Sequence, residues 1–325
     1  MFRHSDILIE CVPNFSEGRN KAIIEAIAEE IRQTPSVQLL HIDIGFDANR
    51  TVYTYIGKPE AIVEATYKAI KKAYKLIDMR LHAGKHPRMG ACDVCPLIPY
   101  QNIDMETTKT YVEKLGKQLG DLGLPVYLYE NSATTEARKN LADIRKGEYE
   151  AIADKIIQKE WKPDFGPTVF NQKFGMMALG ARALLLAYNI NLKTKDLSIG
   201  KKIAKAIRDK RDNEKYPQLQ YCRAIAWYIE EYGFVQISTN ITNYNASPIF
   251  YIFGTVKEIA NDFGIRVNGS ELIGLIPQKA LLVQNPSNKI SDQAKIEDAI
   301  EYLGLNQVFS FQKEKRIIDY ILELK

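Results

Sequence analysis

A short segment rich in glycine and proline, LHAGKHPRMGACDVCPLIP at 81–99, concentrates titratable and cationic side chains. It holds His82, Lys85, His86 and Arg88, and so two of the four histidines of the chain. A histidine takes up and returns a proton near neutral pH, and a neighbouring guanidinium keeps it neutral and binds carboxylates in bidentate fashion. These residue types predict acid–base chemistry on an anionic substrate.

Of the two histidines, His86 is the stronger catalytic candidate. Pro87 holds it in an extended conformation, and the next three residues add a guanidinium and a glycine that permits close approach. The four-residue spacing from His82 would suit a pair of metal ligands on a helix, but Gly84 and Pro87 argue against a helix and no third ligand is evident. The sequence therefore predicts no metal site.

A second candidate group lies in DIGFDANRT, residues 43–51, between two predicted strands. Asp43 ends an otherwise apolar strand, Asn49 lies in the turn, and Arg50 opens the next strand. Asp and Asn side chains in turns often bond their own backbone, whereas an acid and a base at facing strand ends form either a structural ion pair or a substrate-binding pair. Both interpretations stay open for Asp43 and Arg50.

The composition of the chain limits its partners. Its 325 residues are 46% apolar, and 44 Lys and Arg against 40 Asp and Glu leave a net charge of +4 without a block of like charge. This balance argues against nucleic-acid binding and favours a small anionic ligand. The first residues lack a signal-peptide pattern and no apolar run reaches membrane-spanning length, so we expect a cytoplasmic protein without a membrane partner.

The four cysteines are predicted to be reduced thiols, because a chain of this length without an export signal has little use for disulfides. Cys92 and Cys95 would form a redox or metal motif only at a helix N-terminus or beside another pair of ligands. Their surroundings, ACDVCPLIP, are instead typical of a strand entering the core. We predict a buried structural role.

Hydrophobic periodicity predicts the element order βαββαβ twice. The first copy comprises 8–12, 20–33, 37–44, 51–57, 59–76 and 93–98, and the second 182–190, 194–209, 221–228, 234–241, 248–263 and 265–275. Ser247 is predicted to cap the helix at 248–263, with Pro248 at its first position. This order is typical of a split-βαβ sandwich, so the predicted fold class is α/β (α+β), with two subdomains that each carry a mainly antiparallel sheet and helices on one face.

The join between the subdomains, predicted at 1–180 and 181–325, lies near WKPDFGPTVFNQKFGMMALGAR at 161–182. Its prolines and glycines predict irregular structure. Such a segment is either a linker or a ligand loop, and Phe165, Phe170 and Phe174 favour a loop that lines a cleft between the halves. Residues 100–160 are predicted to add two or three helices and a short strand at 126–130.

Several motifs resemble, in the same order, those of the glutamate formimidoyltransferase family: IECVPNFSEGRN, NRTVYTYIG, HPRMGACDVCPLIP, PVYLYE, GEYEA, PDFGP, GAR, AYNINL, VQISTN and GSELIGLIPQKAL. The resemblance implies two α/β subdomains, a homodimer, and transfer of a formimidoyl group from N-formimidoyl-L-glutamate to N5 of tetrahydrofolate in histidine degradation. It also implies the free-standing bacterial type, because the chain stops before the cyclodeaminase domain of the animal proteins would begin.

Residue by residue, the resemblance makes His86 of HPRMG the catalytic histidine. The family's folate-binding stretch falls on Gly166, Pro167, Thr168, Val169, Phe170, Asn171, Gln172, Lys173, Phe174 and Gly175. The sequence departs from the animal enzymes at Gln172 and Phe174, where they have Pro and Trp. An aromatic face is kept, so pterin or benzoyl stacking on Phe174 is expected. Lys173 is expected to hold the tail of tetrahydrofolate polyglutamates.

The implied reaction needs these residue types. Attack by N5 on the amidine carbon creates an ammonium that must lose a proton, while the departing glutamate nitrogen must gain one, and a single histidine can serve both steps. Cations for the two carboxylates of the donor are expected from Arg50, Arg88 and Arg182, and Asp43 would favour the cationic amidine. Asn49 completes the predicted substrate-binding set. Tetrahydrofolate is a co-substrate, and no metal is required.

Two other functions stay open at this stage. The same histidine would support formyl transfer from 5-formyltetrahydrofolate to glutamate, because the two transferred groups differ only by NH against O. A catalytically silent folate-binding protein is the third possibility, although such a protein would not need His86 and Arg88 together. Assay of both donors separates these functions.

Overall fold

The computed structural model describes residues 2–3 and 5–322 of the chain, which divide into two compact units between Ala183 and Leu184. The predicted boundary after residue 180 falls inside a strand of the first unit. Each unit has its own sheet and its own apolar core.

The first unit is built on a seven-stranded sheet. Its elements are β1 (Leu8–Cys11), β2 (Asn14–Phe15), α1 (Lys21–Arg32), β3 (Val37–Gly45), β4 (Arg50–Gly57), α2 (Pro59–Leu76), β5 (Cys92–Gln101), α3 (Met105–Asp121), β6 (Val126–Leu128), α4 (Leu141–Arg145), α5 (Ile152–Ile156) and β7 (Met177–Ala181). The strands follow the order β3, β4, β1 with β2, β5, β7 and β6. The predicted βαββαβ core is therefore confirmed, with β7 and β6 added beside β5.

Local sequence explains where the main helices begin. The side chain of Asn20 accepts hydrogen bonds from the backbone N–H groups of Ala22 and Ile23, which caps α1. Pro59 occupies the first turn of α2, where its missing N–H costs nothing. Apolar residues at helical spacing then bury one face of each helix. In α1 these residues include Ile24, Ile27 and Ile31.

Two features of the first sheet differ from the prediction. Residues 177–181, predicted to be irregular, form the buried strand β7, which pairs in parallel with both β5 and β6. A strand that is buried throughout has no alternation to reveal it. In addition, α4 and α5 contribute Ile144, Ile152 and Ile156 to a second apolar cluster, apart from the core that α1, α2 and α3 cover. Helices therefore pack on both faces of this part of the sheet.

A β-bulge marks the start of β5. The consecutive residues Asn14 and Phe15 of β2 face Val94 and Cys92, so Asp93 is the extra residue on β5. The bulge lets Cys92 and Cys95 both join the core while Asp93 points elsewhere. All four cysteines are buried thiols without a disulfide, which agrees with the predicted buried role of Cys92 and Cys95.

The second unit repeats the same topology on a smaller scale. Its elements are β8 (Leu186–Leu192), α6 (Leu197–Arg211), β9 (Cys222–Ile229), β10 (Phe234–Ile241), α7 (Ile249–Asp262), β11 (Val267–Ile273), α8 (Asp292–Tyr302), α9 (Lys313–Arg316) and α10 (Ile318–Leu322). The sheet is fully antiparallel in the order β11, β8, β10, β9. The predicted cap of α7 is wrong: Pro248 is the N-cap residue, and the Ser247 hydroxyl accepts from the backbone N–H of Tyr221 instead.

Two helical glycines of this unit provide a matched test of helix packing. A Cβ at Gly200 in α6 would lie 2.4 Å from Val235 Cγ1, whereas one at Gly254 in α7 would meet nothing within 4 Å. We predict that Gly254→Ala raises the free energy of unfolding by up to about 1 kcal/mol, the helix-propensity difference. Gly200→Ala should lower it, because the clash with the sheet exceeds that gain. Urea denaturation measures both, and equal effects would contradict the packing of α6.

Candidate active site

The loop that carries His86 is fixed to the turn between β3 and β4. The Asn49 side chain donates to Ala83 O at 3.0 Å, and Lys85 N donates to Asp47 O at 3.0 Å. A Cβ on Gly84 would lie 2.3 Å from Ala48 O, so only glycine permits this approach. Asn49, one of the predicted site residues, thus connects the β3–β4 turn to the His86 loop. Its Oδ1 also accepts a hydrogen bond from Gly18 N at 2.9 Å.

His86 is half-buried and has a defined tautomer. Its Nδ1 lies 2.7 Å from the carbonyl oxygen of Pro87, which can only accept, so Nδ1 carries the proton and Nε2 has the lone pair. Burial, followed by the charges of Arg50 and Arg145, lowers the pKa of His86 to about 3, although Asp93 opposes them. The imidazole is therefore neutral at physiological pH.

Asp93 is the centre of the charge cluster around His86. The carboxylate is fully buried, and its Oδ2 lies 2.7 Å from Arg50 Nη1 and 2.6 Å from Arg145 Nη2. Its Oδ1 accepts from Met89 N at 2.9 Å. Burial opposes its ionisation, but Arg145 and Arg50 lower the pKa of Asp93 to about 2. Two guanidiniums share one carboxylate, so this cluster has a net positive charge beside His86.

Arg145 reaches Asp93 from α4, and a buried lysine holds that short helix. Asn140 caps its N-terminus, and Lys155 Nζ donates to the carbonyls of Asp143, Ile144 and Lys146 at its C-terminal end. The same ammonium lies 3.8 Å from the ring centre of Trp161. A cation at the end of a helix satisfies carbonyls that have no partner within it, so Lys155 fixes the segment that presents Arg145.

Arg88, predicted to bind substrate, has two acidic partners within the protein. Its guanidinium makes a bidentate pair with Glu150 at 2.7 and 2.6 Å and also contacts Glu148 at 3.2 Å. Its Nε donates to His82 Nδ1 at 3.4 Å, while His82 Nε2 lies 2.8 Å from Asn49 O and donates to it. Both ring nitrogens of His82 are thus engaged, and Arg88 ties the His86 loop to residues 148–150.

Asp43 and Arg182, the other two predicted polar residues, contact further parts of the first sheet. Asp43 is paired with Val52 across β3 and β4, and its Oδ2 lies 3.7 Å from His41 Nε2. Arg182 follows β7, and its guanidinium donates to Ala183 O at 2.8 Å. Burial raises the pKa of Glu10 to about 7, and the charge of Arg182 opposes this rise. Leu97, which accepts from Arg182 N, is four residues beyond Asp93, roughly 13 Å along the strand.

The predicted folate stretch begins exposed and ends beside the His86 loop. Gly166, Pro167, Thr168, Val169 and Gln172 are exposed, while Phe170, Asn171 and Lys173 are half-buried. Ala91 N donates to Phe174 O at 2.7 Å, Met176 N donates to Met89 O at 3.0 Å, and Gly175 pairs with Gly90. The end of the stretch therefore packs on the residues that follow His86.

Two side chains of this stretch contact residues near the end of α2. Phe174 is fully buried in the core and meets Tyr74 edge-to-face, so its ring has no exposed face for the predicted stacking in this structure. Lys173 Nζ donates to Lys75 O near the end of α2. The ring in the stretch that is only half-buried is Phe170, 5.4 Å from Tyr149.

Across 2–3 and 5–322, no three His, Cys, Asp or Glu side chains come together as ligands for a metal ion. Among the helices of these same residues, none is both long and apolar enough to span a bilayer.

Two family models match nearly all of the chain, one for each unit. The formiminotransferase domain, N-terminal subdomain, matches residues 8–182, and the formiminotransferase domain matches residues 187–323. The chain belongs to the formiminotransferase family. This membership confirms the resemblance that the motifs indicate.

Proteins with sequences similar to this chain fall into a shorter and a longer type. A glutamate formimidoyltransferase from Streptococcus pyogenes is 40% identical over 85% of this chain and 91% of the relative, and one from Thermoplasma acidophilum is 41% identical over 85% and 90%. A formimidoyltransferase-cyclodeaminase from Dictyostelium discoideum is 42% identical over 97% of this chain and 60% of the relative. The chain thus spans about 60% of the length of such longer relatives.

The sequence patterns did not indicate two residues of this candidate site, Asp93 and Arg145. A signal existed for Asp93, since a lone aspartate inside the apolar strand ACDVCPLIP must find a buried partner. No comparable signal marks Arg145, because its partner is 52 residues away in the sequence.

The low pKa of His86 predicts a pH dependence of stability. In the unfolded chain His86 binds a proton near pH 6.5, whereas in the folded protein its pKa is about 3. Unfolding therefore takes up a proton within this window, so this contribution to stability is complete above pH 6.5 and decreases as the pH falls. We expect His86→Asn to lose less stability than the wild type between pH 7.5 and 5 in urea denaturation. Parallel curves would show that His86 titrates normally.

The position of Phe174 predicts a stability effect. Phe174→Ala should lower the free energy of unfolding by about 3–5 kcal/mol, because it leaves a cavity in the core. Val169→Ala, in the same stretch but 69% exposed, should change it by less than about 0.5 kcal/mol. Denaturation of both variants measures this, and a stable Phe174→Ala protein would restore the ring as a candidate ligand surface.

Proposed function

We propose that this protein transfers the formimidoyl group of N-formimidoyl-L-glutamate to N5 of tetrahydrofolate, giving 5-formimidoyltetrahydrofolate and L-glutamate. The observation that carries the proposal is the family match across both units together with a neutral His86 in a cationic site. Relatives with the name glutamate formimidoyltransferase match along most of their own length. Tetrahydrofolate is then a co-substrate. The donor is an anion, which suits the net positive charge of the cluster around Asp93.

His86 is the proposed proton shuttle. Its Nε2 lone pair accepts the proton that N5 loses after attack on the amidine carbon, and the resulting imidazolium returns it to the departing glutamate nitrogen. The Pro87 carbonyl keeps the proton on Nδ1 and so directs Nε2 to the reaction. Arg50 and Arg145 discourage a charged imidazole in the free protein, which keeps His86 in the accepting form.

Tetrahydrofolate is proposed to contact the exposed part of residues 166–175. Phe170, supported by Tyr149, is the aromatic ring in this stretch best placed for contact with the pterin or benzoyl ring. Tyr149 OH donates to Gln172 O, which ties this surface to the Arg88 region. A folate-tail role for Lys173 and a location in a cleft between the units remain predictions, as do a homodimer and cytoplasmic localisation.

A direct assay separates the proposed function from its alternatives. The purified protein is mixed with tetrahydrofolate and N-formimidoyl-L-glutamate, or with 5-formyltetrahydrofolate and L-glutamate, and products are identified by mass spectrometry. Formimidoyl transfer supports the proposal. Exclusive formyl transfer would replace it with the formyltransferase function, and tetrahydrofolate binding without any transfer would identify a binding protein.

The two histidines of the loop provide a matched test of the shuttle. His86→Ala should lower kcat by about 10²–10⁴-fold, the usual contribution of a positioned acid–base group, with tetrahydrofolate affinity nearly unchanged. His82→Ala should cost much less, because both nitrogens of His82 are occupied by Asn49 and Arg88. Steady-state kinetics and tetrahydrofolate titration measure both variants. Equal losses of kcat would remove the assignment to His86.

A further inference from the structure

Two arginines from distant parts of the chain meet at one carboxylate oxygen. Arg50 opens β4 and Arg145 ends α4, yet both lie within 2.7 Å of Asp93 Oδ2. The remaining oxygen, Oδ1, accepts from Met89 N. The carboxylate neutralises only one of the two cations. Burial, and after it the charge of Arg145, lowers the pKa of Arg50, although Asp93 opposes both. The pair therefore favours a further anion.

The hydrogen-bonding capacity of the pair is also incompletely used. Arg50 is 7% exposed, and its Nη1 already lies 2.7 Å from Asp93 Oδ2. Arg145 Nε, by contrast, is buried without a hydrogen-bond partner. A buried N–H without an acceptor is costly, so this donor is a further reason to expect an acceptor from a ligand.

We propose that Arg50 and Arg145 together bind the α-carboxylate of the donor, with Arg145 as a specificity-determining residue and Asp93 as the residue that positions both guanidiniums. This inference rests on the proposed function and adds to it a residue and a substrate group. Arg145 is the more accessible member, with 15% of its side chain exposed against 8% for Arg50. Two guanidiniums that share one anchor present a fork to a planar carboxylate.

The α-carboxylate fits better than the γ-carboxylate. One carbon separates the α-carboxylate from the nitrogen that leaves as glutamate, and His86 must deliver a proton to that nitrogen. Met89, three residues after His86, donates its N–H to Asp93, which holds both guanidiniums, so the cation pair and the shuttle are neighbours. A substrate group close to the reacting nitrogen therefore lies close to both.

Carboxylate binding would also adjust the shuttle. The two arginines, with burial, hold the pKa of His86 far below its usual range, and Asp93 counteracts them only in part. A bound carboxylate adds a second anion to the cluster, so His86 becomes a stronger base when the donor is present. The donor would thus activate the residue that acts on it.

The test compares Arg145→Gln with the wild type on three donors. These are N-formimidoyl-L-glutamate, N-formimidoyl-4-aminobutyrate, which lacks the α-carboxylate, and N-formimidoyl-L-2-aminobutyrate, which lacks the γ-carboxylate. The variant should raise KM for the first donor by about 10- to 100-fold with kcat within about 3-fold, as expected for loss of a charge-assisted contact. It should lose most of the wild type's preference for the first donor over the analogue without the α-carboxylate.

Arg80→Gln is the matched control. Arg80 is an exposed arginine that pairs with Asp78 in the same unit. Its replacement should leave the KM values for all three donors unchanged. Arg145→Lys, which keeps the charge without the fork, should recover part of the affinity. Circular dichroism and thermal unfolding check that α4 and its surroundings persist, which Lys155 should secure.

The outcomes are separable. Loss of preference only for the γ-carboxylate would overturn the α-assignment, and unchanged preferences for both would make Arg145 purely structural. If the wild type transfers no formimidoyl group, the proposed function fails first. Calorimetric titration with L-glutamate then tests the pocket alone: binding that Arg145→Gln weakens at least 10-fold, with Arg80→Gln unaffected, supports the anion site. Equal binding by all three proteins overturns it.

Discussion

The buried carboxylate of Asp93 holds the candidate active site together. It joins β5, the start of β4 and the end of α4 through two guanidiniums, and it fixes the His86 loop through Met89 N. Each of these parts carries a charge or an N–H that would otherwise be buried without a partner. Breaking such a group by removing one member costs several kcal/mol, because the remaining charges stay buried. The site thus depends on a single ion that the bulge in β5 directs away from the core.

The segment between β6 and β7 gives the first unit chemistry that the repeated topology lacks. It supplies Arg145, and it is fixed by buried cations: Arg138 donates to Asp164 Oδ2 and to the carbonyls of Glu160 and Lys162, and Lys155 holds the end of α4. Three isoleucines of α4 and α5 pack on the sheet beside these contacts. The segment is therefore both a cover for one face of the sheet and the source of a functional side chain.

The second unit has the same strand and helix order but a different kind of buried polar group. Gln236 donates to Asn191 Oδ1 at 2.8 Å and accepts from Trp227 Nε1 at 2.9 Å. Gln236 also donates to Glu271 Oε2 at 3.1 Å, so the network joins all four strands of this sheet through amide, indole and carboxylate groups. Equal topology therefore does not imply equal chemistry, since side chains and insertions determine the site.

The sequence by itself determined the repeated βαββαβ order and the main helices, and it indicated His86 as the catalytic candidate. Hydrophobic periodicity, helix caps and the restraint of Pro87 are local, and local patterns are readable along a chain. It did not reveal β7, because a fully buried strand shows no alternation of apolar and polar residues. It did not reveal the burial of Phe174 either, because the residue type alone does not distinguish a core aromatic from an exposed one. Only the tertiary structure brought Arg145 to Asp93 and gave Arg88 its acidic partners. Ion pairs between residues 52 and 62 positions apart depend on where the segments pack, and no local pattern encodes that distance.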